Sequence, residues 1–329
     1  MSDKPRVWIS RPTFPGIVAR LEPYFEVSEE AGERAFSRTE LAAKLAGQDA
    51  VIVGLKDRIG AAEIARAERL RIVANLAVGY DNLDLDALSA AGIVASNTAD
   101  VLNESVADFA WAMMLGAARR LGAAERWLRA GHWQSTEFKA WLGTDVRGAT
   151  LGILGMGRIG QAIARRAVGF GMPVLYHNRS PLSDADERAC HARYVDKTQL
   201  LREADFLILA LPLTTQSRHA IGAAELALMK PTAMLINVAR GGIVDDAALV
   251  QALRERRLAG AALDVFEGEP ALNPGLLQLD NAVLSPHIAS ASQETRRAMT
   301  SVAVDNVLAL FGHGPHAGRP PNILNPNVL

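Results

Sequence analysis

Cysteine is almost absent from this chain of 329 residues, in which Cys190 is the only example. That scarcity excludes an intrachain disulfide and any metal cluster built on cysteines, and we predict no bound metal. Charge of one sign is not in excess either, because 35 lysines and arginines oppose 36 aspartates and glutamates and leave a formal net charge of -1. This balance gives no indication of a surface for nucleic acid or another polyanion.

Long hydrophobic runs are also missing. The longest, at residues 206–213 and 109–118, fall well short of the roughly 20 residues needed to cross a bilayer. The first ten residues, MSDKPRVWIS, lack the apolar stretch of a secretory signal. The sequence therefore predicts a soluble cytoplasmic protein that does not bind membranes. At roughly 150 residues per domain, the length predicts about two domains.

In the first hundred residues, short apolar runs alternate with stretches of helical spacing. The runs predict strands at residues 7–10, 50–55, 71–75 and 93–96, and the stretches predict helices at 15–24, 37–45 and 61–69. Such alternation is typical of a parallel sheet covered by helices. Residues 103–133 then predict one long helix, with candidate interruptions near Gly116 and Gly122, that either connects two domains or packs on a second subunit.

A second and more regular α/β unit follows the long helix. Its predicted strands are residues 150–154, 173–177, 205–211, 233–238, 260–265 and 282–285. Its most evident helices are residues 158–170, which end at Gly171, and residues 245–257. A last helix is predicted at residues 292–311. The fold class is therefore α/β, with two parallel-sheet domains.

The segment Gly155-Met156-Gly157-Arg158-Ile159-Gly160 matches the pattern G-x-G-x-x-G. The pattern alone is weak, but here it directly follows a predicted strand and opens a predicted helix, as in a dinucleotide-binding turn. The first glycine permits the tight turn, the second lets the backbone approach a pyrophosphate, and the third lets helix and strand pack closely. Because the N–H groups of the helix N-terminus attract phosphates, we expect this segment to bind the cofactor.

The end of the next predicted strand indicates which dinucleotide is bound. An NAD site expects an acidic residue about 20 positions after the glycine turn, where it accepts the ribose hydroxyls. This chain has His177-Asn178-Arg179-Ser180 there, without a carboxylate. Arg179 can pair with a 2′-phosphate, and Asn178 and Ser180 can hydrogen-bond to it. We therefore predict NADP(H) as the cofactor in preference to NAD.

Three candidate catalytic residues follow later strands of the second unit. Arg240 lies in NVARGGIVD, Glu269 in DVFEGEP and His287 in SPHIAS. Open α/β sheets bind their ligands at the carboxyl ends of the strands. A carboxylate orients a neighbouring imidazole and favours its protonated form, which can donate a proton near neutral pH. An arginine fork suits the carboxylate and carbonyl oxygens of a 2-oxo acid. Each residue alone has an ordinary structural explanation, but three at three strand ends favour catalysis.

Together these motifs resemble the D-isomer-specific 2-hydroxyacid dehydrogenases, and within them the glyoxylate/hydroxypyruvate reductase branch, which includes 2-ketogluconate reductases. The resemblance covers nearly the whole chain, through AVGYDNLD, GTDVRGATLGILGMGRIG, LILALPLT, INVARGGIVDD, AALDVFEGEP and SPHIAS. It implies NADPH-dependent reduction of glyoxylate, hydroxypyruvate or 2-ketogluconate to a D-2-hydroxy acid. The alternatives are a D-3-phosphoglycerate or D-lactate dehydrogenase and, from another class, a dinucleotide-sensing binding protein like the corepressors that share this fold.

The resemblance also implies a role for each matching residue. His287 would donate the proton, Glu269 would be its partner, and Arg240 would bind the substrate carboxylate and polarise the carbonyl. Further substrate contacts would come from Leu55, from the backbone amides of Val78 and Gly79, and from Trp141. The match at Trp141 suggests a tryptophan inserted into the active site of a neighbouring subunit, and a core tryptophan is the alternative. Positions that line the cofactor in the family correspond to Val106, Leu211, Pro212, Ser217, Val238, Ala239, Asp264, His287 and Ala289.

The family architecture implies how the two domains share the chain. A Rossmann NADP-binding domain, residues 101–289, would be inserted into a flavodoxin-like substrate domain formed by residues 1–100 and 290–329. Both sheets would be doubly wound and parallel, with the active site in the cleft between the domains. The helix after Asn103 and the stretch from Trp127 to Trp141 would form much of a homodimer interface.

Overall fold

The computed structural model describes residues 4–329 and divides into two compact units. Unit 1 is formed by Met1–Leu102, described from Lys4 onward, and by Ala291–Leu329, and unit 2 is Asn103–Ser290. The strands are β1 (Arg6–Ile9), β2 (Glu26–Glu29), β3 (Ala50–Val53), β4 (Ile72–Asn75), β5 (Val94–Ser96), β6 (Leu151–Leu154), β7 (Val174–His177), β8 (Ala192–Tyr194), β9 (Phe206–Leu209), β10 (Met234–Asn237), β11 (Gly260–Leu263) and β12 (Ala282–Leu284).

The helices alternate with these strands. They are α1 (Pro15–Val18), α2 (Arg38–Leu45), α3 (Ala61–Ile64), α4 (Leu85–Ala90), α5 (Asn103–Ala118), α6 (Leu121–Arg129), α7 (Arg158–Ala167), α8 (Asp184–Cys190), α9 (Lys197–Glu203), α10 (Ala223–Leu228), α11 (Asp246–Arg254) and α12 (Gln293–Leu310). Short 3₁₀ turns occur at Val168–Phe170, Leu276–Gln278 and Pro326–Val328. Within residues 4–329, no helix is both long and apolar enough to span a membrane.

Unit 1 contains a five-stranded parallel sheet in the order β2-β1-β3-β4-β5. That order is the flavodoxin-like one and confirms the predicted fold of this domain. Alternate strand residues face opposite sides, so that Ile9, Ile52 and Ile72 pack with α12 while Val51 and Val73 pack with α2 and α4. Burial on both faces explains why these strands read as continuous apolar runs.

The C-terminal tail covers the β5 edge of this sheet. Asn325, which is almost fully buried, accepts a hydrogen bond from Ala95 N at 2.8 Å through Oδ1 and donates to Ile93 O at 2.9 Å through Nδ2. Leu324 N donates to Ala95 O at 2.8 Å. These bonds satisfy backbone groups that an open edge strand would leave unpaired.

Unit 2 contains a seven-stranded parallel sheet in the order β12-β11-β10-β9-β6-β7-β8. The chain starts at the central strand β6, moves outward through β7 and β8, and then reverses to β9, which is the Rossmann arrangement. The predicted α/β class and the Rossmann domain are therefore confirmed. The sheet reversal places the loop after β6 beside the loop after β9, where such folds bind dinucleotides.

Several predicted element bounds are wrong. The helix predicted at 103–133 is two helices, α5 and α6, and ends earlier, at Arg129. The interruption lies between the two predicted positions, Gly116 and Gly122, where Arg120 adopts a left-handed backbone (φ 55°) that ends the helical path. The helices predicted at 15–24 and 61–69 are α-helical for only about one turn. Beyond it the chain forms hydrogen-bonded turns, such as the one closed by the bond from Ala67 N to Ile64 O.

Two strands were not predicted. They are β2 and β8, which form one edge of their respective sheets. Their sequences, EVSE and ARY, are mostly polar or exposed and carry no clear apolar alternation. An edge strand needs burial on fewer sides than a central one, so its sequence signal is weaker.

Candidate active site

The glycine-rich turn after β6 has the geometry of a dinucleotide-binding loop. Gly155 has φ of 101°, and a Cβ there would lie 2.6 Å from the carbonyl carbon of Ala210. A Cβ on Gly160 would lie 2.3 Å from Gly155 O, so both positions exclude a side chain. Gly157 caps α7 and has open space where its Cβ would be. A pyrophosphate therefore fits above Gly157, at the positive end of the α7 dipole.

The end of β7 is fastened to this turn. Gly155 N donates to His177 O at 3.0 Å, and Met156 N donates to Asn178 Oδ1 at 2.6 Å. Asn178 therefore holds the glycine turn as well as lying where the adenosine ribose is expected. Arg179 and Ser180 are exposed beside it. The structure brings all three residues predicted for 2′-phosphate recognition to the edge of the glycine turn.

Arg240 is held in a tight turn after β10. The side chain of Asn237, which is 1% exposed, donates to Arg240 O at 3.0 Å and accepts from Ala239 N at 3.0 Å. A Cβ on Gly241 would lie only 1.8 Å from Phe266 O, so the Arg240 turn touches the loop that carries Glu269. Sequence reasoning missed Asn237, although an asparagine three residues before Arg240 is a recognisable turn signal.

Glu269 and His287 form a hydrogen-bonded pair. Glu269 Oε1 accepts from Phe266 N at 2.8 Å, and Oε2 lies 2.8 Å from His287 Nδ1. Burial raises the pKa of the Glu269 carboxyl, but the hydrogen bond and charge of His287, the Phe266 N–H and the charge of Arg240 outweigh burial and hold that pKa below its ordinary value. The ionised carboxylate accepts the proton on Nδ1 and leaves Nε2 as the ring nitrogen that can act on a substrate.

The loop around His287 depends on Asp264. This residue is fully buried, and its carboxylate accepts from Ile288 N and Ala289 N, both at 2.8 Å, and from Ser285 Oγ at 2.6 Å. His287 N donates to Asp264 O at 2.9 Å, and the histidine backbone is left-handed, with φ of 56°. Asp264, expected among the cofactor-lining residues, thus lies beneath the loop with both oxygens engaged.

A charged cluster supports the loop of Glu269 from the other side. Glu267 N donates to Asp246 Oδ2 at 3.1 Å, and the Glu267 carboxylate pairs with Arg218 and lies 3.1 Å from His219 Nε2. Burial, together with the charges of Glu267 and Asp245, raises the pKa of Asp246 to about 6. This cluster was not predictable from the sequence, because its members come from three separate segments.

The other residues predicted around the cofactor follow the same sheet edge. Ser217 Oγ is engaged within its own turn, where it donates to Pro212 O at 2.7 Å and accepts from Thr214 N at 2.7 Å. Val106 is buried on α5. The remaining ones follow strands β9, β10 and β12 and are Leu211, Pro212, Val238, Ala239 and Ala289.

The predicted substrate residues lie in both units. Leu55 follows β3 and Val78 and Gly79 follow β4, at the carboxyl ends of the unit 1 sheet. Trp141 belongs to the segment after α6 in unit 2, where its ring centroid lies 5.4 Å from that of Trp127. It is half-buried and belongs to none of the buried core clusters. Within residues 4–329, no group of three His, Cys, Asp or Glu side chains is placed to hold a metal ion.

Comparison with known proteins gives consistent results. Residues 111–289 match the family model described as "D-isomer specific 2-hydroxyacid dehydrogenase, NAD binding domain". A glyoxylate reductase of Thermococcus gammatolerans is 45% identical over 99% of this chain and 97% of its own length. A glyoxylate reductase of Pyrococcus furiosus is 44% identical over 99% of this chain and 97% of its own length.

Solved structures agree with these relatives. The TT0316 protein of Thermus thermophilus superimposes with a TM-score of 0.89 at 40% identity and covers 97% of this chain and 99% of that one. An NADPH-dependent glyoxylate/hydroxypyruvate reductase of Sinorhizobium meliloti was solved in complex with NADP and malonate. It superimposes with a TM-score of 0.86 at 38% identity and covers 98% of this chain and 97% of that one.

The Rossmann unit and its glycine turn, with the hydrogen-bonded Glu269–His287 pair at the sheet edge, indicate an oxidoreductase that uses a nicotinamide dinucleotide. The similarities extend over the whole chain and narrow this class further. The chain belongs to the D-isomer specific 2-hydroxyacid dehydrogenases, which confirms the family predicted from the sequence motifs.

Proposed function

We propose that this enzyme reduces small 2-oxo acids, namely glyoxylate, hydroxypyruvate and 2-ketogluconate, to D-2-hydroxy acids with NADPH. The observation that carries the proposal is the hydrogen bond between His287 Nδ1 and Glu269 Oε2, next to the turn of Arg240. A proton donor, its carboxylate partner and a guanidinium are what reduction of a 2-oxo acid requires from the protein. The glyoxylate reductases among the relatives support this choice of substrate.

The mechanism follows from the geometry of these residues. The nicotinamide dinucleotide supplies the hydride when bound. Arg240 binds the substrate carboxylate and polarises the carbonyl group with its planar fork. His287 donates the Nε2 proton to the carbonyl oxygen, while Glu269 keeps the Nδ1 proton in place and stabilises the imidazolium before transfer. The backbone amides of Val78 and Gly79 bind the substrate carboxylate, and Leu55 contacts the substrate.

NADPH is proposed as the preferred coenzyme. The 2′-phosphate carries close to two negative charges, which attract Arg179 and would be repelled by a carboxylate. Arg179 and Ser180 are exposed next to Asn178, whose side chain already holds the glycine turn. The S. meliloti reductase was solved with NADP, which supports the same preference here.

We further propose that the enzyme works as a cytoplasmic homodimer whose interface includes α6 and the segment that follows it. None of the residues of α6 is buried, although it contains Leu121 and Leu128. Trp133, Leu142 and Phe138, the last of them 95% exposed, extend this apolar surface. Exposed apolar surface of this kind favours a protein partner, and a second copy would also bring Trp141 within reach of a neighbouring active site.

Initial rates test the proposed function. The purified enzyme is mixed with NADPH or NADH and with each of glyoxylate, hydroxypyruvate and 2-ketogluconate, and loss of the reduced nicotinamide is followed. We expect turnover of at least one acid, faster with NADPH. Oxidation of D-lactate or D-3-phosphoglycerate without reduction of these acids would favour the other dehydrogenases. Tight binding of the dinucleotide without any turnover would favour the sensing protein.

A further inference from the structure

Two buried asparagine side chains face each other at the carboxyl ends of the unit 1 strands. Asn75, the last residue of β4, is 0% exposed, and its Nδ2 donates to Asn82 Oδ1 at 3.2 Å. Asn82 Nδ2 donates back to Asn75 Oδ1 at 3.3 Å. Burying two amides in this way is favourable only when their donors and acceptors are satisfied, so the pair fixes the orientation of both side chains.

These side chains and their neighbours hold three consecutive carbonyl groups. Thr98 N donates to Ala77 O at 3.0 Å, and Asn97 Nδ2 donates to Val78 O at 2.8 Å. Asn75 Nδ2 donates to Gly79 O at 3.0 Å. All three carbonyls are therefore turned towards donors inside unit 1.

The held carbonyls determine where the amide hydrogens point. In a trans peptide the C=O and the following N–H point in opposite directions. The bond to Ala77 O thus directs the N–H of Val78 away from the buried donors, and the bond to Val78 O does the same for Gly79. Among the residues that the structure describes, neither N–H has a hydrogen-bond acceptor. Two donors are thus presented together, as binding a carboxylate requires.

The same network holds the loop that carries Leu55. Asn82 Nδ2 donates to Asp57 O at 3.0 Å and to Gly54 O at 3.3 Å, on either side of Leu55. The fully buried Asp57 side chain accepts from Gly54 N at 2.9 Å and from Arg11 Nη2 at 2.8 Å. The Leu55 loop and the Val78–Gly79 peptide are thereby connected through one pair of asparagine amides.

We propose that Asn75, Asn82 and Asn97 are positioning residues. Asn97 aims the Gly79 amide at the substrate carboxylate through the carbonyl of Val78. Asn75 and Asn82 anchor the end of the loop that carries the Val78 and Gly79 amides and keep Leu55 in register with it. The inference rests on the proposed function. Apolar side chains would fill the same space without a desolvation cost, but they could not hold a carbonyl and accept from a second amide as these amides do.

The test replaces the donating amide with a carboxylate of the same shape. In Asn97→Asp, an oxygen faces the carbonyl of Val78, so this peptide turns away and the Gly79 N–H that it carries no longer points at the substrate. In Asn75→Asp, an oxygen faces the carbonyl of Gly79, so the loop that carries both amides is no longer anchored at its end. We expect KM for glyoxylate to rise at least about tenfold, equivalent to about 1.4 kcal/mol. The dissociation constant of NADPH, measured by fluorescence without substrate, should stay within about twofold.

Asn306→Asp is the matched control. Asn306 is also 0% exposed and in unit 1, and its Nδ2 donates to a backbone carbonyl, that of Val302, at 2.9 Å. It belongs to α12 and bonds neither loop. This substitution should lower the melting temperature as the others do, but leave KM for glyoxylate unchanged.

A second measurement does not depend on the fraction of protein that folds. The ratio of kcat/KM for glyoxylate to kcat/KM for glycolaldehyde, an aldehyde without a carboxylate, should fall at least about fivefold in Asn75→Asp and Asn97→Asp and stay constant in Asn306→Asp. Wild-type turnover of glyoxylate with KM and this ratio unchanged in both variants overturns the inference. A wild-type enzyme that reduces no 2-oxo acid overturns the proposed function itself, and the inference with it.

Discussion

Glu269 Oε2 accepts a hydrogen bond from His287 Nδ1 across 2.8 Å, while Glu269 Oε1 is held by Phe266 N at the same distance. The carboxylate is therefore fixed at both oxygens, and it fixes the imidazole in turn. Burial alone would raise the pKa of Glu269, but its partners lower it below the ordinary value, so the carboxylate stays ionised at neutral pH.

Glu269→Gln should lower the rate of the reduction. The carboxylate can only accept, so it holds a proton on His287 Nδ1 and fixes the ring, whereas an amide can also donate and no longer fixes which ring nitrogen carries the proton. We expect kcat for glyoxylate to fall at least about tenfold, a part of the usual contribution of a general acid. Steady-state kinetics of both proteins check this, and a wild-type kcat would show that Glu269 does not orient the histidine.

Arg240→Lys should be damaging although the charge is kept. A lysine cannot present the planar fork that spans a carboxylate and a carbonyl oxygen. Because Arg240 acts on the reacting carbonyl as well as on the anchoring carboxylate, kcat should fall and KM for glyoxylate should rise. Steady-state kinetics check this split, and wild-type values of both constants would mean that a point charge suffices.

Asp246→Asn should stabilise the protein at neutral pH. The pKa of Asp246 is raised from 3.8 to about 6, so the folded state binds its proton more tightly than the unfolded state and loses stability as pH rises from about 4 to about 6. Asparagine keeps an oxygen for Glu267 N and carries no charge. We expect the free energy of unfolding to increase by about 1–3 kcal/mol at pH 8. The upper limit is the free energy that corresponds to a pKa difference of roughly two units between the folded and unfolded states.

Denaturant unfolding at several pH values checks this effect. The gain should disappear below about pH 4, where Asp246 is protonated in both states. Asp184→Asn is the control, because Asp184 is likewise the first residue of a helix but is exposed. A loss of stability at pH 8 in Asp246→Asn would contradict this expectation, because it would show that the charged Asp246 carboxylate stabilises the folded state.

Arg179→Asp should reverse the choice of coenzyme. The wild-type kcat/KM for NADPH should exceed that for NADH by at least about tenfold, the contribution of one charge-assisted hydrogen bond. The new carboxylate removes this attraction, repels the 2′-phosphate and can accept the 2′-hydroxyl of NADH. Kinetics with both coenzymes check the ratio. An unchanged ratio in Arg179→Ala would assign phosphate recognition to Asn178 and Ser180.

Local signals made much of the fold predictable. Ser37 and Ser292 cap α2 and α12 through their side chains, as residues of this type do at helix starts. The turn from Gly155 to Gly160 lies between a strand and a helix, as its spacing predicts. Strong periodicity and turn-forming residues are properties of short segments, so the secondary structure that they predict is also found in the folded chain.

The supporting contacts of the candidate site were not predictable in this way. Asn75 bonds to Asn82 because the loop after β4 folds back on the end of its own strand, and Glu267 N bonds to Asp246 because the start of α11 lies beside the loop after β11. The sequence shows an asparagine or aspartate at each position and carries no sign of its partner. The left-handed Arg120, which ends the path of α5, is equally invisible, since nothing about arginine favours that conformation.

The most direct test of the account measures the initial rate of glyoxylate reduction by wild-type enzyme and His287→Asn with saturating NADPH. We predict that the wild type reduces glyoxylate and that the variant loses about 10²–10⁴-fold in kcat, the usual contribution of a general acid. NADPH binding should remain largely intact. A variant that keeps more than about a third of the wild-type kcat would contradict the role of His287, and with it the proposed mechanism.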